Sequence, residues 1–312
     1  QMAPSSSAAA TIRIRIRFIA SSLHALSRSV ARRWVAARLW HNAAGLKEVQ
    51  ATMEIAEKTV LITGGSAGVG LAAAQRFLQF GANVAITGRD AARLQQAAAR
   101  LGAGARVATI AWDAADIARA GAVFAEVEQR FGALHVLVNN AGCNHRGVLE
   151  SLSEQEMLRV VDTNFRAPLA LSRAVLPFMR RAGQGAIVNV ASLAGRVPLA
   201  HESIYSATKF GLRAFTLAIA QELEGSGISA SVVSPGPIST GFILDDIDGV
   251  PDMVFSQPMS SAEEVAELIV RCARDGKAER ALPVLSGWLA NIAYLCPPLA
   301  RALRPALERR GR

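Results

Sequence analysis

A glycine-rich turn between a strand pattern and a helix pattern constrains the fold of this chain more than any other feature. Residues 58–63 read KTVLIT, which predicts a short buried strand, and an alanine-rich stretch over about 71–80 predicts a helix. Gly64, Gly68 and Gly70 lie between them in the spacing Gly-x-x-x-Gly-x-Gly. In this context glycines permit a tight turn and a close approach of the backbone to a pyrophosphate at the helix N-terminus. Taken alone, such a motif is more often a plain helix-entry loop.

Short apolar runs alternate with helical patterns along the rest of the chain. This rhythm predicts a parallel sheet covered by helices on both faces, which is a doubly wound Rossmann-type α/β fold in one domain. A serine and a glutamate at Ser261 and Glu264 have the spacing of a capping box. The predicted strands are 83–87, 107–112, 134–138, 186–190, 228–233 and 282–285. The predicted helices are 91–101, 115–131, 154–181, one from the segment around residue 205 to about 224, and 261–274.

Tyr205 and Lys209 form a candidate acid/base pair. Residues at i and i+4 share a face of a helix, so both side chains are expected to point into one site. A nearby ammonium stabilises a phenolate, and we therefore expect the pKa of Tyr205 to be lowered toward neutrality. Ser192, thirteen residues upstream, offers a hydroxyl that can hold a carbonyl oxygen. On its own, Tyr-x-x-x-Lys also arises by chance on solvated helices.

Together these segments resemble the short-chain dehydrogenase/reductase family, in the subtype with TGxxxGxG and YxxxK motifs. The resemblance covers about residues 55–288, and the motifs occur in the order that the family shows. It implies an oxidoreductase that transfers a hydride between a nicotinamide and a ketone or secondary alcohol. The matching positions are Thr63 to Gly70, Asp113, Asn139 to Gly142, Asn164, Ser192, Tyr205, Lys209, Pro235 and Gly236.

The resemblance also implies catalytic roles. Tyr205 would donate the proton to the new alcohol and accept it in the oxidative direction. Lys209 would lower the pKa of Tyr205 and hydrogen-bond the nicotinamide ribose, and Ser192 would orient and polarise the carbonyl. Asn164, expected in the middle of a long helix, would hold a water that passes protons to the lysine. Alone, it would be read as a solvated helix residue.

Further positions are implied to bind the cofactor. They lie around the glycine turn and after the third, fourth and sixth strands. Asp113 would face the adenine, although it could also cap the following helix. Thr240 would contact the nicotinamide carboxamide. The full set is Thr63, Gly64, Ser66, Gly68, Val69, Gly70, Asp113, Asn140, Gly142, Tyr205, Lys209, Pro235, Gly236 and Thr240.

The end of the second predicted strand indicates the cofactor. An NAD enzyme usually has a carboxylate there that binds the ribose 2′-hydroxyl. Here the strand ends Thr87-Gly88-Arg89, and the Arg89 guanidinium is placed to meet a 2′-phosphate. We expect a preference for NADP(H), with NAD(H) as the alternative because Asp90 is adjacent. A solvated arginine at a helix start is the other interpretation of Arg89.

The charge of the chain is concentrated at its ends. Of the formal +9, seven arginines and no acidic residue lie in residues 1–46, and five arginines and one glutamate lie in residues 301–312. Residues 47–300 contain 22 basic and 24 acidic residues, so no nucleic-acid footprint is expected. The three cysteines show neither metal spacing nor an even disulfide set, which favours reduced thiols and no metal site.

Residues 1–52 are expected to lie outside the fold. Their arginine-, serine- and alanine-rich composition resembles a mitochondrial or plastid transit peptide. The alternative we prefer is an untranslated leader, since Met53 is a suitable start just before the first strand; this favours a bacterial cytoplasmic protein. The catalytic domain is then 53–287.

The segments after Thr240 bear on substrate and partners. By resemblance, residues 241–260 form a mobile lid whose apolar side chains indicate a lipophilic substrate, although they could simply pack on the core. Residues 288–312 form an apolar, arginine-flanked extension. It is expected to be a lid or subunit contact in a homodimer or homotetramer, and membrane-surface binding is the less favoured alternative. An NAD-dependent alcohol or steroid-type dehydrogenase and a non-catalytic dinucleotide-binding regulator remain as alternative functions.

Overall fold

A seven-stranded parallel sheet in the order β3-β2-β1-β4-β5-β6-β7 forms the centre of the protein, as seen in a computed structural model that describes residues 52–102, 104–245 and 249–311. The strands are β1 Thr59–Thr63, β2 Asn83–Gly88, β3 Val107–Ala111, β4 Val136–Asn139, β5 Gly185–Val190, β6 Ile228–Pro235 and β7 Glu279–Leu282. The helices are α1 Gly68–Gln79, α2 Ala91–Leu101, α3 Ala120–Phe131, α4 Glu154–Val161, α5 Ala167–Arg181, α6 Ser203–Glu222, α7 Gly241–Leu244, α8 Ala262–Asp275, α9 Val284–Leu295 and α10 Pro297–Gly311. The predicted doubly wound fold is confirmed. The expected leader, residues 1–52, lies almost wholly outside the described residues.

Helices cover both faces of the sheet because successive strand residues point to opposite sides. On β1, Val60 and Ile62 belong to one buried cluster with α1 and α8, whereas Leu61 belongs to a second cluster with α3 and α5. Both faces of the sheet are therefore shielded from water. This is why the central strands have continuous apolar sequences rather than alternating apolar and polar residues. The capping box at the start of α8 is confirmed, since Ser261 and Glu264 bond each other's backbone N–H.

Three elements differ from the sequence-based prediction. The helix predicted over 115–131 begins at Ala120, after a 3-10 turn over Ile117–Arg119. The last strand was predicted at 282–285 but runs over Glu279–Leu282, because Pro283 has no N–H to continue the ladder and Val284 begins α9. The helix predicted over 154–181 is interrupted by a π-helical turn, Asp162–Arg166, which contains Asn164. Such turns are rare and occur often at functional sites.

The last strand and the helix after it are held by a cluster of charged side chains, of which Arg196 is buried and Glu279 and Arg213 are partly exposed. The Glu279 carboxylate accepts hydrogen bonds from Arg196 at 2.8 Å and from Arg213 of α6 at 2.9 Å. Arg196 also donates to the carbonyl of Gly287 in α9 at 3.3 Å. The arginine that follows the Ser192 segment therefore connects β7 and α9 to the centre of the molecule. None of the described helices combines the length and apolarity needed to cross a bilayer.

A row of buried amides connects the middle of the sheet to α6. Asn139 of β4 donates to Asn189 of β5 at 2.8 Å, and Asn189 donates to Thr216 of α6 at 2.8 Å. All three side chains are buried. A buried polar group that loses its partner costs about 1–3 kcal/mol, so these bonds specify how α6 sits on the sheet.

Replacing Asn189 with alanine is expected to lower the free energy of unfolding by about 3 kcal/mol, because it removes two buried hydrogen bonds, to Asn139 and to Thr216, and leaves a cavity between β5 and α6. Urea denaturation followed by circular dichroism measures the change. The matched control is Gln95→Ala, which removes an exposed hydrogen bond to Thr109 and is expected to cost less than about 0.5 kcal/mol. Equal losses in the two variants would contradict the assignment.

Candidate active site

The glycine turn forms a tight cradle before α1. Gly64 and Gly68 have φ values of +65° and +52°, in the left-handed region that favours glycine. A Cβ at Gly70 would lie 2.2 Å from the carbonyl oxygen of Gly64, so only glycine allows this approach. Ala67 at the N-cap makes no side-chain capping bond, which leaves the backbone N–H groups of the first turn for an anion. The turn therefore fits a pyrophosphate.

The junction of β1 and β4 is held by a threonine and an asparagine. The Thr63 hydroxyl accepts from the backbone N–H groups of Asn140 and Ala141, each at 3.1 Å. The Asn140 amide donates to the carbonyls of Thr63 at 3.0 Å and Gly64 at 3.1 Å. Asn140 thus ties β1 to β4 at the end of the two strands. The bonded strands β1 and β4 lie at the point where the strand order reverses. Sheets of this kind bind their ligands at that point.

The segment after β6 reaches the same cleft. Pro235 ends β6, and the N–H of Gly236 donates to the Leu282 carbonyl at 2.7 Å. The Thr240 methyl lies against Gly68, since a Cβ added at that glycine would be 3.4 Å from it. The segment after β6 therefore reaches the glycine turn through Thr240. Val69 is partly buried and packs on the core instead.

Tyr205 and Lys209 share one face of α6. The Lys209 ammonium lies 5.6 Å from the centroid of the Tyr205 ring and donates to the Val190 carbonyl at 2.9 Å. Ser192 caps the short 3-10 turn that follows it, accepting from the N–H of Ala194 at 3.1 Å. The Ser192 hydroxyl also lowers the pKa of the Tyr205 phenol, against the larger effect of burial. The predicted grouping of the three side chains is present, and the capping alternative for Ser192 holds as well.

Burial dominates the acid/base properties of the pair. It raises the pKa of Tyr205 well above the ordinary value, and the Glu202 carboxylate raises it further. The Ser192 hydroxyl and the charge of Arg146 act in the opposite direction. Burial also lowers the pKa of Lys209 to about 8. The expected lowering of the tyrosine pKa by Lys209 is therefore wrong for this structure: the phenol is held protonated, and the ammonium is only moderately favoured at neutral pH.

Asn164 is fully buried and is engaged with the backbone. Its carboxamide accepts from the N–H of Cys143 at 2.9 Å and donates to the Cys143 carbonyl at 2.7 Å. A Cβ at Gly142 would lie 3.3 Å from the Asn164 oxygen and 3.8 Å from the Lys209 ammonium. The alternative of a solvated helix residue is thus wrong for Asn164. Its carboxamide fixes the loop after β4 close to Lys209.

A buried ion pair next to the tyrosine was not predicted from sequence. Arg146, in the loop after β4, donates to the carboxylate of Glu202 at 2.9 Å, and both side chains are at least nine-tenths buried. The N–H of Gly147 donates to the His201 carbonyl at 3.0 Å, which joins the same two loops. The partners are 56 positions apart. Neither belongs to the family motifs, so no local pattern marks them.

The outer part of the cleft is more open. Arg89 and Asp113 are exposed, and Ser66 lies against Gly88, 3.7 Å from where a Cβ would be. The Asp90 carboxylate accepts from the N–H of Arg93 and so caps α2. Asp113 accepts from Ala115 at 3.0 Å within a turn; it does not cap a helix, since Asp116 occupies the N-cap of the next helical turn.

Cys143 also lies close to the charged groups of the site. Burial raises the pKa of its thiol, and the positive charges of Arg159, Lys209 and Arg89 oppose this in part. Among the residues that the structure describes, no group of three or more His, Cys, Asp or Glu side chains is arranged to hold a metal ion.

The predicted lid is short and apolar near the tyrosine. Phe242 in α7 has its ring centroid 6.0 Å from that of Tyr205 and remains 44% exposed. The 3-10 turn Asp252–Ser256 follows, and residues 246–248 lie outside the described part. The tyrosine thus has polar groups on one side, from Ser192 and Lys209, and an aromatic ring on another.

Comparisons with known proteins agree with this geometry. A family model described as short chain dehydrogenase matches residues 58–246, more than half of the chain. The ketoacyl reductase HetN of Nostoc sp. is 37% identical over 68% of this chain and 75% of its own length. Dehydrogenase/reductase SDR family member 7B of Bos taurus is 31% identical over 75% of this chain and 77% of its own. The 3-oxoacyl-[acyl-carrier-protein] reductase FabG of Pseudomonas aeruginosa is 32% identical over 72% of this chain and 94% of its own.

Proposed function

The chain belongs to the short chain dehydrogenase family, whose members are oxidoreductases acting between CH–OH and keto groups, and we propose that it interconverts a lipophilic ketone and its secondary alcohol with NADP(H) as the preferred cofactor. The observation that carries this proposal is the juxtaposition of Lys209, Ser192 and the apolar Phe242 around the Tyr205 phenol. The proposed catalytic domain is residues 53–287.

A bound nicotinamide would supply or accept the hydride. Residues of this chain would orient the substrate and transfer the proton. Ser192 is placed to hydrogen-bond the substrate oxygen and orient it against Tyr205. The phenol, held protonated by burial, is the proton donor to that oxygen in ketone reduction and the acceptor in alcohol oxidation. Lys209 is the cation beside the phenol, and Asn164 keeps the Gly142 loop in place next to it.

The cofactor preference is inferred from the end of β2. The carboxylate nearest to this strand end, that of Asp90, is occupied in capping α2, so it is poorly placed to accept from a ribose hydroxyl. Arg89 is exposed directly after the end of β2, and the Ser66 hydroxyl lies against the neighbouring Gly88. A guanidinium beside a hydroxyl is suited to a phosphate dianion. These contacts favour NADP(H) over NAD(H).

The substrate class is inferred from the lid and the relatives. Phe242 places an aromatic ring against the phenol, and pockets lined by such side chains favour apolar ligands. Two of the relatives described above carry ketoacyl reductase names. We therefore propose a ketone on an aliphatic or acyl-like chain. A panel of ketones and secondary alcohols, followed by NADPH and NADH absorbance, tests reaction, cofactor and substrate class together.

The oligomeric state and the cellular compartment are inferred from the family resemblance and from the cysteines. We propose a homodimer or homotetramer in the cytoplasm, with no nucleic-acid partner. The three cysteines, Cys143, Cys272 and Cys296, are free thiols, as is usual in a reducing compartment. The oligomeric state rests on the family resemblance.

Replacing Tyr205 with phenylalanine is expected to lower kcat about 10²- to 10⁴-fold, because it removes the proton donor while keeping the ring. The chain has only two tyrosines, and Tyr294→Phe is the matched control because Tyr294 is exposed and packs against Phe210. Steady-state kinetics on the best substrate of the panel measures both. Full activity in the Tyr205 variant would refute the mechanism.

Replacing Arg89 with alanine is expected to raise the KM for NADPH about tenfold or more, since it removes the proposed charge partner of the 2′-phosphate. The KM for NADH should change little. Arg100→Ala, an exposed arginine at the other end of α2, controls for a general loss of positive charge. An unchanged KM for NADPH, or comparable activity of the parent protein with NADH, would overturn the NADP(H) assignment.

The Arg146–Glu202 pair should tune the pH dependence of alcohol oxidation, which needs the phenolate. Glu202→Gln removes a carboxylate that raises the pKa of Tyr205, so the rise of activity with pH should move to lower pH by on the order of one unit. Arg146→Gln should move it to higher pH, and the double variant should lie between them. Thermal unfolding checks that each variant folds, since breaking a buried pair is costly. Shifts in the same direction for both single variants would contradict this role.

A further inference from the structure

Helix α9 has a reversed amphipathic arrangement. Its small residues Gly287 and Ala290 are buried against the protein, whereas its large apolar residues face solvent. The exposed residues have the i, i+3, i+4 and i+7 spacing that a surface helix normally directs inward. They are Leu285, Trp288, Leu289, Ile292 and Leu295, the last being 81% exposed.

The orientation of α9 is fixed by close packing. A Cβ at Gly287 would lie 2.6 Å from the Cβ of Ala281 in β7, so no larger residue fits on this side of the helix. The bond from Arg196 to the Gly287 carbonyl holds the same side. Rotation of the helix to bury Trp288 or Leu289 is therefore excluded by sterics. A continuous apolar face of this kind marks an interaction surface.

Charge identifies what this face binds. Residues 281–300 contain no Asp, Glu, Lys or Arg, and residues 301–312 then contain five arginines and one glutamate. An apolar helix bearing tryptophan and leucine, followed by a cluster of arginines, complements a surface with an apolar interior and anionic head groups. No described helix could span a bilayer, so the fit is to a membrane surface.

Other occupants are disfavoured by the same charges. A second copy docking by a two-fold axis would bring two arginine-rich segments, residues 301–312 of each chain, to one interface. The segment 1–46 of this chain carries seven arginines and no acid, so it would also be repelled. Neither a second copy nor residues 1–46 would bring negative charge to the arginines of residues 301–312.

We propose that α9 and the arginines of residues 301–312 bind the surface of an anionic phospholipid bilayer. Leu285, Trp288 and Leu289 would enter the boundary between head groups and acyl chains, with the helix axis in the plane of the surface. The arginines would contact the phosphates of the head groups. The observations behind this interaction are separate from those behind the reaction proposed above.

Sedimentation of the full-length protein with lipid vesicles tests the proposal. Binding to vesicles that contain phosphatidylglycerol should be at least tenfold tighter than to vesicles of phosphatidylcholine alone, and should weaken as salt is added. Leu289→Ser should reduce binding about tenfold. Leu158→Ser is the matched control, because Leu158 on α4 has nearly the same exposure, 53% against 55%, and lies outside α9. Both variants should keep the parent's activity on a water-soluble substrate.

A photo-reactive benzoylphenylalanine at position 289 identifies the occupant directly. Cross-links to lipid in the presence of anionic vesicles would support the proposal. Cross-links to a second copy or to residues 1–52 would overturn it, as would a failure to bind either vesicle type. Binding that is the same in Leu289→Ser and in Leu158→Ser would also overturn it, because α9 would then not be the contact.

Discussion

The rest of the site depends on the junction of β1 and β4, which is held by the hydrogen bonds between Thr63 and Asn140. At this junction the chain runs outward to β2 and β3 on one side and to β5, β6 and β7 on the other. The loops after neighbouring strands therefore diverge and leave a cleft. Because one side-chain amide bonds the carbonyls of Thr63 and Gly64, the glycine turn cannot move independently of the loop that carries Gly142. The glycine turn and the loop after β4 are thus held to each other at one edge of the sheet.

Helix α6 contributes more to function than its two motif residues. One face carries Tyr205 and Lys209, and the same helix reaches the buried amides through Thr216 and the last strand through Arg213. The burial that raises the pKa of Tyr205 and lowers that of Lys209 follows from this packing. The charges of the site are consequently set by the fold around α6 as much as by the side chains themselves.

Local patterns were sufficient to predict much of this arrangement. The glycine spacing, the i, i+4 relation of Tyr205 and Lys209, and the capping box of α8 each occupy a few neighbouring positions, where steric and hydrogen-bonding rules apply directly. The missed features depend on contacts between distant segments. Glu279 gives the sequence of β7 a polar appearance, and the arginines that pair with its carboxylate lie in other elements. The π-turn around Asn164 has no compositional signal, and the Arg146–Glu202 pair joins loops that only the folded chain brings together.

The hydrogen bond from Arg196 to Gly287 joins two regions that the chain places about ninety positions apart. Arg196 directly follows the 3-10 turn that Ser192 caps, so a single guanidinium connects α9 to the segment that carries Ser192. Any event that shifts α9 and changes the affinity of the Ser192 site must work in reverse by the same free energy. An event of that kind would link the position of the helix at the far end of the chain to the occupancy of the cleft beside Ser192.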